Sequence, residues 1–358
     1  MALSDLGWNL FFEAAFASLK TEGLHPGRVA MQHRGGYLLY ELEGELKAEV
    51  SGRFRHAAHE PSEFPTVGDW VAFERVPGEE RAIIHQVLPR QSRFSRTAAG
   101  DVSEEQVLAS NIDHALVVES LGSELNLRRL ERFLTVVRES GAVPSIILTK
   151  RDLCRHLKEI LTSVNSIACD ATVHSVSSLT GQGLQAIRKL IKPGETAALL
   201  GPSGVGKSTL INTLWGDEIL PVLPVRESDQ KGRHTTSCRE LVFLPGGGLM
   251  IDTPGLRELQ LWEGEVGLRQ GFADVEEMAL ACRFTNCGHD AEPGCALRVA
   301  LQEGRITAGR LASFRKLRQE LEAAAKRQQD HARIEESRRS KGVTRSLRGK
   351  KFRQGQQS

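Results

Sequence analysis

Aromatic side chains are scarce in this 358-residue chain, at 5%, so Leu, Val, Ile and Ala must fill most of any core. No run of 18 or more uncharged apolar residues occurs, which excludes a membrane-spanning helix. The apolar start, MALSDLGWNLFFEAAFASLK, lacks a basic leading region and carries Asp5 and Glu13, which argues against a secretion signal. It reads as a short amphipathic helix docked on the body; a membrane-surface helix is the alternative, disfavoured because its polar face is not basic. A disulfide framework is also missing. Of six cysteines, three crowd near residue 290, a spacing for metal ligation, and the expected compartment is the cytoplasm.

Net charge is small as well, +2, but it is unevenly placed. From His331 to Ser358 nine Lys/Arg stand against Glu335 and Glu336, a +7 tail that leaves −5 on the rest of the chain. Such a tail attracts polyanions, and its Gly/Ser/Gln-rich, aromatic-poor character suits nucleic acid better than a membrane; a solubilising end without a partner is the plain alternative. Between His25 and Thr97, short segments alternating at period two (GRVAMQ, GYLLYELEG, ELKAEVSGRF, GDWVAFERV, AIIHQVL) predict five strands in a small barrel or sandwich, OB-like in size. Ten basic residues balance ten acidic ones there, so no basic groove is indicated. From Asn111 to Leu261 buried-type apolar runs alternate with helical patterns such as Leu127, Leu130, Leu134 and Val137. This rhythm predicts a mainly parallel sheet covered on both faces. Beyond Trp262 the chain reads helical around the Cys/His cluster, with a long polar helix from Ile306 to Arg339.

Gly201, Pro202, Ser203, Gly204, Val205, Gly206, Lys207 and Ser208 match the Walker A pattern in full, after the apolar run AALL and before the helical STLINTLW. Glycines let amides turn onto phosphate oxygens, and the helix N-terminus favours the same anion. Lys207 would reach the β- and γ-phosphates, Ser208 would ligate Mg²⁺, and Thr209 would lie by the α-phosphate. Asp252, Thr253, Pro254 and Gly255 follow the run GLMI, where Asp252 would make the second Mg²⁺ contact and Gly255 would approach the γ-phosphate. Thr149, Lys150, Arg151 and Asp152 follow PSIIL. With the phosphate loop and DTPG the chain resembles the translation-factor-like GTPases, and TKRD resembles their N/TKxD motif; the resemblance implies that the Asp152 carboxylate accepts two hydrogen bonds from guanine, which adenine cannot donate, with Lys150 packing on the base. Ser177 and Ser178 would present a backbone amide to guanine O6.

The base-reading motif precedes the phosphate loop, the reverse of the ordinary GTPase order, so the nucleotide domain is circularly permuted. The segment after DTPG then leads straight into the C-terminal region, which a γ-phosphate-dependent movement would pull. The polar stretch Asp229–Glu240 reads as switch I, with Thr235 or Thr236 as the Mg²⁺ ligand. Leu256 stands where Ras-like enzymes orient water with Gln, so hydrolysis should be slow unless His234 or a partner assists; His234 is equally an ordinary loop histidine. Cys282, Cys287, His289 and Cys295 offer three thiolates and an imidazole within fourteen residues, a closed tetrahedral Zn²⁺ site.

Taken with PTVGDWV (65–71), GRHTT (232–236) and DTPGLRE, these motifs resemble the ribosome small subunit-dependent GTPase A (RsgA) family over nearly the whole chain. The resemblance implies an α/β P-loop GTPase, circularly permuted with a mainly parallel sheet, an N-terminal all-β OB-like barrel and a C-terminal α-helical zinc-binding domain. It also implies GTP hydrolysis stimulated by the small ribosomal subunit and a part in late assembly of that subunit. The expected division is an N-terminal helix (1–24), barrel (25–97), permuted GTPase domain (98–261), zinc-binding domain (262–330) and basic tail (331–358). Expected partners are GTP and GDP, Mg²⁺ with the nucleotide, one structural Zn²⁺, and the small subunit with its rRNA, with no membrane and a monomeric chain. A nucleotide-gated RNA-binding module with incidental hydrolysis, and an ATP-using P-loop enzyme, are the competing readings.

Overall fold

The computed structural model describes residues 2–33, 35–97, 104–122, 125–216, 239–252, 265–285, 287–290, 292–327, 329, 330 and 333, with only the backbone of Thr97 and Asp252. Helix α1 (Leu10–Thr21) starts at Asn9, whose side chain accepts hydrogen bonds from the amides of Phe11 and Phe12. Phe12, Phe16 and Leu19, at helical spacing, form its buried face. Just before it, the Trp8 ring meets Trp70 edge-on at 4.7 Å, fixing the helix to the barrel.

The barrel comprises β1 (His25–His33), β2 (Gly36–Glu41), β3 (Gly44–Val50), β4 (Trp70–Arg75) and β5 (Arg81–Val87), with a short helix α2 (Gly52–Ala57) after β3. The strands close in the order β1–β2–β3–β5–β4–β1, with only β3–β5 parallel. Alternate residues point inward, and Val29, Leu39, Leu46, Val71, Phe73 and Ile84 fill the interior. Strands β6 (Arg93–Thr97) and β7 (Glu105–Ser110) form a separate antiparallel ribbon.

The second part of the sheet contains β8 (His114–Ser120), β9 (Val143–Thr149), β10 (Thr172–Ser175), β11 (Thr196–Leu200), β12 (Glu240–Phe243) and β13 (Leu249–Asp252). Their order is β10–β9–β8–β11–β13–β12; the first five run parallel and β12 is antiparallel to β13. Helices α3 (Leu127–Ser140), α4 (Leu157–Ala168), α5 (Leu184–Arg188) and α6 (Lys207–Trp215) pack around it. Parallel strands need such crossovers, which is why β8 and β11 are apolar on both faces. The sheet does not stop at β12: Met31 of β1 pairs with Glu240, so barrel and second part form one eleven-stranded sheet.

Buried Arg28 of β1 donates to the carbonyls of Leu6, Gly68 and Asn111. Burial, only partly offset by Asp113 and Asp69, lowers its pKa to about 10. The C-terminal part consists of α7 (Glu265–Gly271), α8 (Ala273–Ala279), α9 (Ala296–Gln302) and α10 (308–327). Arg310 joins it to the sheet domain, bonding Glu131 on α3 at 2.8 Å and Asp274 on α8 at 2.6 Å, with its guanidinium 4.2 Å from the Phe272 ring. Burial opposes the Arg310 charge, but the two carboxylates outweigh it and raise its pKa. Among the described residues no helix is long and apolar enough to cross a membrane.

Candidate functional site

The C-terminal ends of β9, β8, β11 and β13 share one edge of the sheet, the edge where open α/β sheets bind ligands. There the chain leaves β11 through Gly201, which has φ +136°; a Cβ on it would lie 2.2 Å from the carbonyl oxygen of Val118. No other residue fits that contact. Residues 201–206 then turn into α6, with Lys207 its first residue. The Lys207 ammonium donates to the carbonyls of Gly201 at 2.8 Å and Pro202 at 2.6 Å, which fixes the cation over its own loop. Val205 is buried, while Ser203, Gly204 and Thr209 are exposed and Ser208 is half-buried at the mouth.

Thr149 ends β9 two strands from β11, and its hydroxyl bonds the Val205 carbonyl at 2.6 Å while lying 3.1 Å from that of Glu119. Lys150, in left-handed backbone at φ +57°, extends its ammonium to the Gly204 carbonyl at 3.1 Å. The two motifs, 56 positions apart between Thr149 and Val205, are thus stitched together by direct side-chain contacts. Asp152 is exposed on the next turn, and the buried Ser177 hydroxyl donates to its Oδ1. Ser177 also accepts from the Thr180 amide, so its loop and Asp152 are fixed together, with half-buried Ser178 alongside. The Arg151 amide donates to Val176, and its guanidinium to the Ser175 hydroxyl, both turned toward β10.

One supporting pair went unread in the sequence. Glu119, buried near the end of β8, is gripped by both arms of Arg129 at 2.8 Å and sits beneath Thr149. A carboxylate inside an otherwise apolar strand run is itself the signal, because such a charge needs a partner. Asp252 occupies the last position of β13 at the same sheet edge. His234, Thr235 and Thr236 fall outside the described residues, as do Thr253, Pro254, Gly255 and Leu256.

The second candidate site lies in the C-terminal helices. One ligand atom each from Cys282, Cys287, His289 and Cys295 lies within 4.8 Å of all the others. The His289 Nδ1 is 3.5 Å from Cys282 Sγ and 3.7 Å from Cys295 Sγ. Bonds of about 2.3 Å to sulfur and 2.05 Å to nitrogen, at the tetrahedral angle, require about 3.6 Å between such atoms, so the donor set fits a Zn²⁺ ion. Burial, then the charges of Arg318 and Arg315, lower the His289 pKa and keep a lone pair on the ring. Burial and the neighbouring thiols push Cys287 up to about 11; a divalent cation at their centre would relieve that crowding by holding them as thiolates.

A profile of the RsgA GTPase family matches residues 87–262. The small ribosomal subunit biogenesis GTPase RsgA of Opitutus terrae is 44% identical over 336 residues, covering 91% of this chain and 92% of that protein. In architecture the chain is similar to YjeQ from Thermotoga maritima, at TM-score 0.63 and 23% identity, covering 83% of this chain and 98% of that one. It is also similar to YloQ, a circularly permuted GTPase, at TM-score 0.59 and 21% identity, covering 84% of this chain and 96% of that one. The two structural likenesses speak for the permuted fold, and the sequence identity across nearly the full length goes further: the chain belongs to the RsgA GTPase family.

Proposed function

We propose that the chain hydrolyses GTP as an assembly factor of the small ribosomal subunit, with turnover accelerated by that subunit. The observation that carries the reading is the Thr149 hydroxyl on the Val205 carbonyl, supported by Lys150 on Gly204. It joins a base-reading loop and a phosphate loop into one site although the base-reading loop comes first in the chain. Asp152, oriented by Ser177, takes the guanine edge, and Ser178 offers its amide to O6. The amides of residues 201–206 take the phosphates, with Lys207 on the β- and γ-oxygens and Thr209 near the α-phosphate. Ser208 and Asp252, with Thr235 or Thr236, would hold Mg²⁺, and Gly255 would lie near the γ-phosphate. When bound, the ion would supply positive charge against the phosphates.

His234 is the remaining candidate to help orient water. Cys282, Cys287, His289 and Cys295 hold one structural Zn²⁺, which fixes the fold of that unit and takes no part in hydrolysis. In this division of labour residues 98–261 carry the nucleotide, while the barrel (25–97), the zinc-binding helices (262–330) and the basic tail (331–358) meet rRNA in the cytoplasm.

GTP turnover by the full chain, measured with and without purified small subunits across a salt series, tests this. A subunit-dependent rise in rate that fades with salt is expected. A rate indifferent to subunits would instead favour a nucleotide-gated RNA binder in which hydrolysis is incidental.

A further inference from the structure

Strand β1 serves two sheets with one edge. Its residues 25–28 pair with β4 and close the barrel. The register against β2 then shifts between Val29 and Met31, leaving Ala30 as the extra residue of a bulge. Bulges bend a strand and strengthen its twist, and beyond this one Met31 pairs with Glu240 of β12 instead of with β4. On its other side Glu240 is opposite Asp252. Met31, Glu240 and Asp252 therefore form one row across three strands, about 10 Å from end to end at ~4.8 Å per strand.

One strand further into the barrel, the Tyr40 ring packs on Phe243 of β12 at 5.2 Å. Tyr40 is buried there. Without this cover β12 would be an exposed sheet edge. The base and phosphate contacts lie on the other side of β13, on β9 and β11.

We propose that Tyr40 and Met31 of the barrel are positioning residues for GTP turnover: they hold β12, and through its row the Asp252 backbone, in the register that hydrolysis requires. The barrel then acts on kcat and leaves nucleotide affinity alone. This rests on the reading that the chain hydrolyses GTP with Asp252 at the metal.

Full-length Tyr40→Leu, Tyr40→Phe and Phe243→Leu are compared for kcat, KM and GDP affinity. Both Leu variants should lose about tenfold in kcat, the scale of a sub-ångström misplacement, with GDP affinity within about twofold. Tyr40→Phe, which keeps the ring, should restore turnover. Wild-type kcat in the Leu variants overturns the proposal, as does a parallel fall in kcat and GDP affinity, or a Phe variant as slow as Leu. Should Tyr40→Leu fail to fold, Phe243→Leu and amide exchange on the unaltered chain decide. Amides near Met31 and Tyr40 should exchange more slowly with a non-hydrolysable GTP analogue than with GDP, and equal rates overturn the proposal. A wild-type chain that turns over no GTP, with or without subunits, refutes the functional reading itself.

Discussion

Asp152→Asn is the sharpest perturbation of the base site. Ser177 donates to Asp152 Oδ1 from a buried position, and an Asn oxygen can accept that bond unchanged, so the side chain should keep its orientation. What changes is the group facing the base. Guanine offers N1–H and the 2-amino group, both donors, and the carboxylate accepts both; the Asn amide turns a donor toward a donor. Two hydrogen bonds to a charged acceptor, at roughly 1.5–3 kcal/mol each, amount to about 3–6 kcal/mol, or ~10²–10⁴ in affinity. Xanthine carries a carbonyl in place of the 2-amino group, so the same substitution should bind XDP more tightly than GDP. Calorimetric titration of both nucleotides into both proteins measures the exchange. GDP affinity within threefold of wild type, or an equal loss for GDP and XDP, would show that Asp152 does not read the base.

Four further outcomes are expected. Arg310→Met strands the buried Glu131 carboxylate and should cost about 3–5 kcal/mol by urea denaturation, most of it recovered when Glu131→Gln is added; additive losses would mean the pair is not coupled. Strong chelation or Cys295→Ser should remove one zinc per chain and melt α8–α10 while GDP binding persists, and stoichiometric zinc in the variant would rule out the four-ligand site. Burial, then Glu45 and Glu240, push the Tyr40 phenol up to about 12, above ~10 in the unfolded chain. Its contribution is thus complete below pH 10 and lost by pH 12, a fall of about 2–3 kcal/mol that Tyr40→Phe should not show; matching alkaline melts would refute it. Finally, a Cβ at Gly267 would lie 2.2 Å from the Thr135 carbonyl, so Gly267→Ala should cost about 1–3 kcal/mol, and an unchanged melting temperature would deny the α3–α7 contact.

Some of this was legible in the residues because the chemistry is local. A phosphate loop needs glycine at φ values other residues avoid, and Gly201 shows that need directly. Four metal ligands inside fourteen residues leave little choice of partner. The run ELKAEVSGRF reads as one segment, yet the strand ends before Ser51: its hydroxyl accepts from the Phe54 amide and starts α2. That N-cap was readable. The alternation between Asn111 and Leu261 predicts a mainly parallel sheet, and β12 is the exception: it runs antiparallel to β13, as the short turn between them dictates. The joining of barrel and sheet at Met31 left no mark in the sequence, since backbone groups make the pairing and any residue but proline supplies both of them. Arg28 and Arg310 were equally silent. Each looks like an ordinary basic residue until the fold buries it among carbonyls or carboxylates that lie far away in the chain.

The permuted order suggested that movement after DTPG would pull directly on the C-terminal helices. The contacts around α3 change that picture. Helix α7 begins at Glu265, soon after Asp252, and is already anchored: the Gly267 amide donates to Glu139 on α3 at 2.8 Å. Eight positions back along α3, about 12 Å, Glu131 receives Arg310 from α10. At the first turn of α3, Arg129 grips Glu119 beneath Thr149. One helix thus carries support for the loop after β9 at one end and, along its length, attachments of the C-terminal helices that include the Arg132–Glu320 pair. A pull on residue 265 is resisted by α3 before it reaches the metal cluster. Separating the helices from the sheet domain breaks the Arg310–Glu131 pair and the Gly267–Glu139 bond together. The sheet of β8–β13 is therefore contacted from two sides, by the barrel through β12 and by the C-terminal helices through α3.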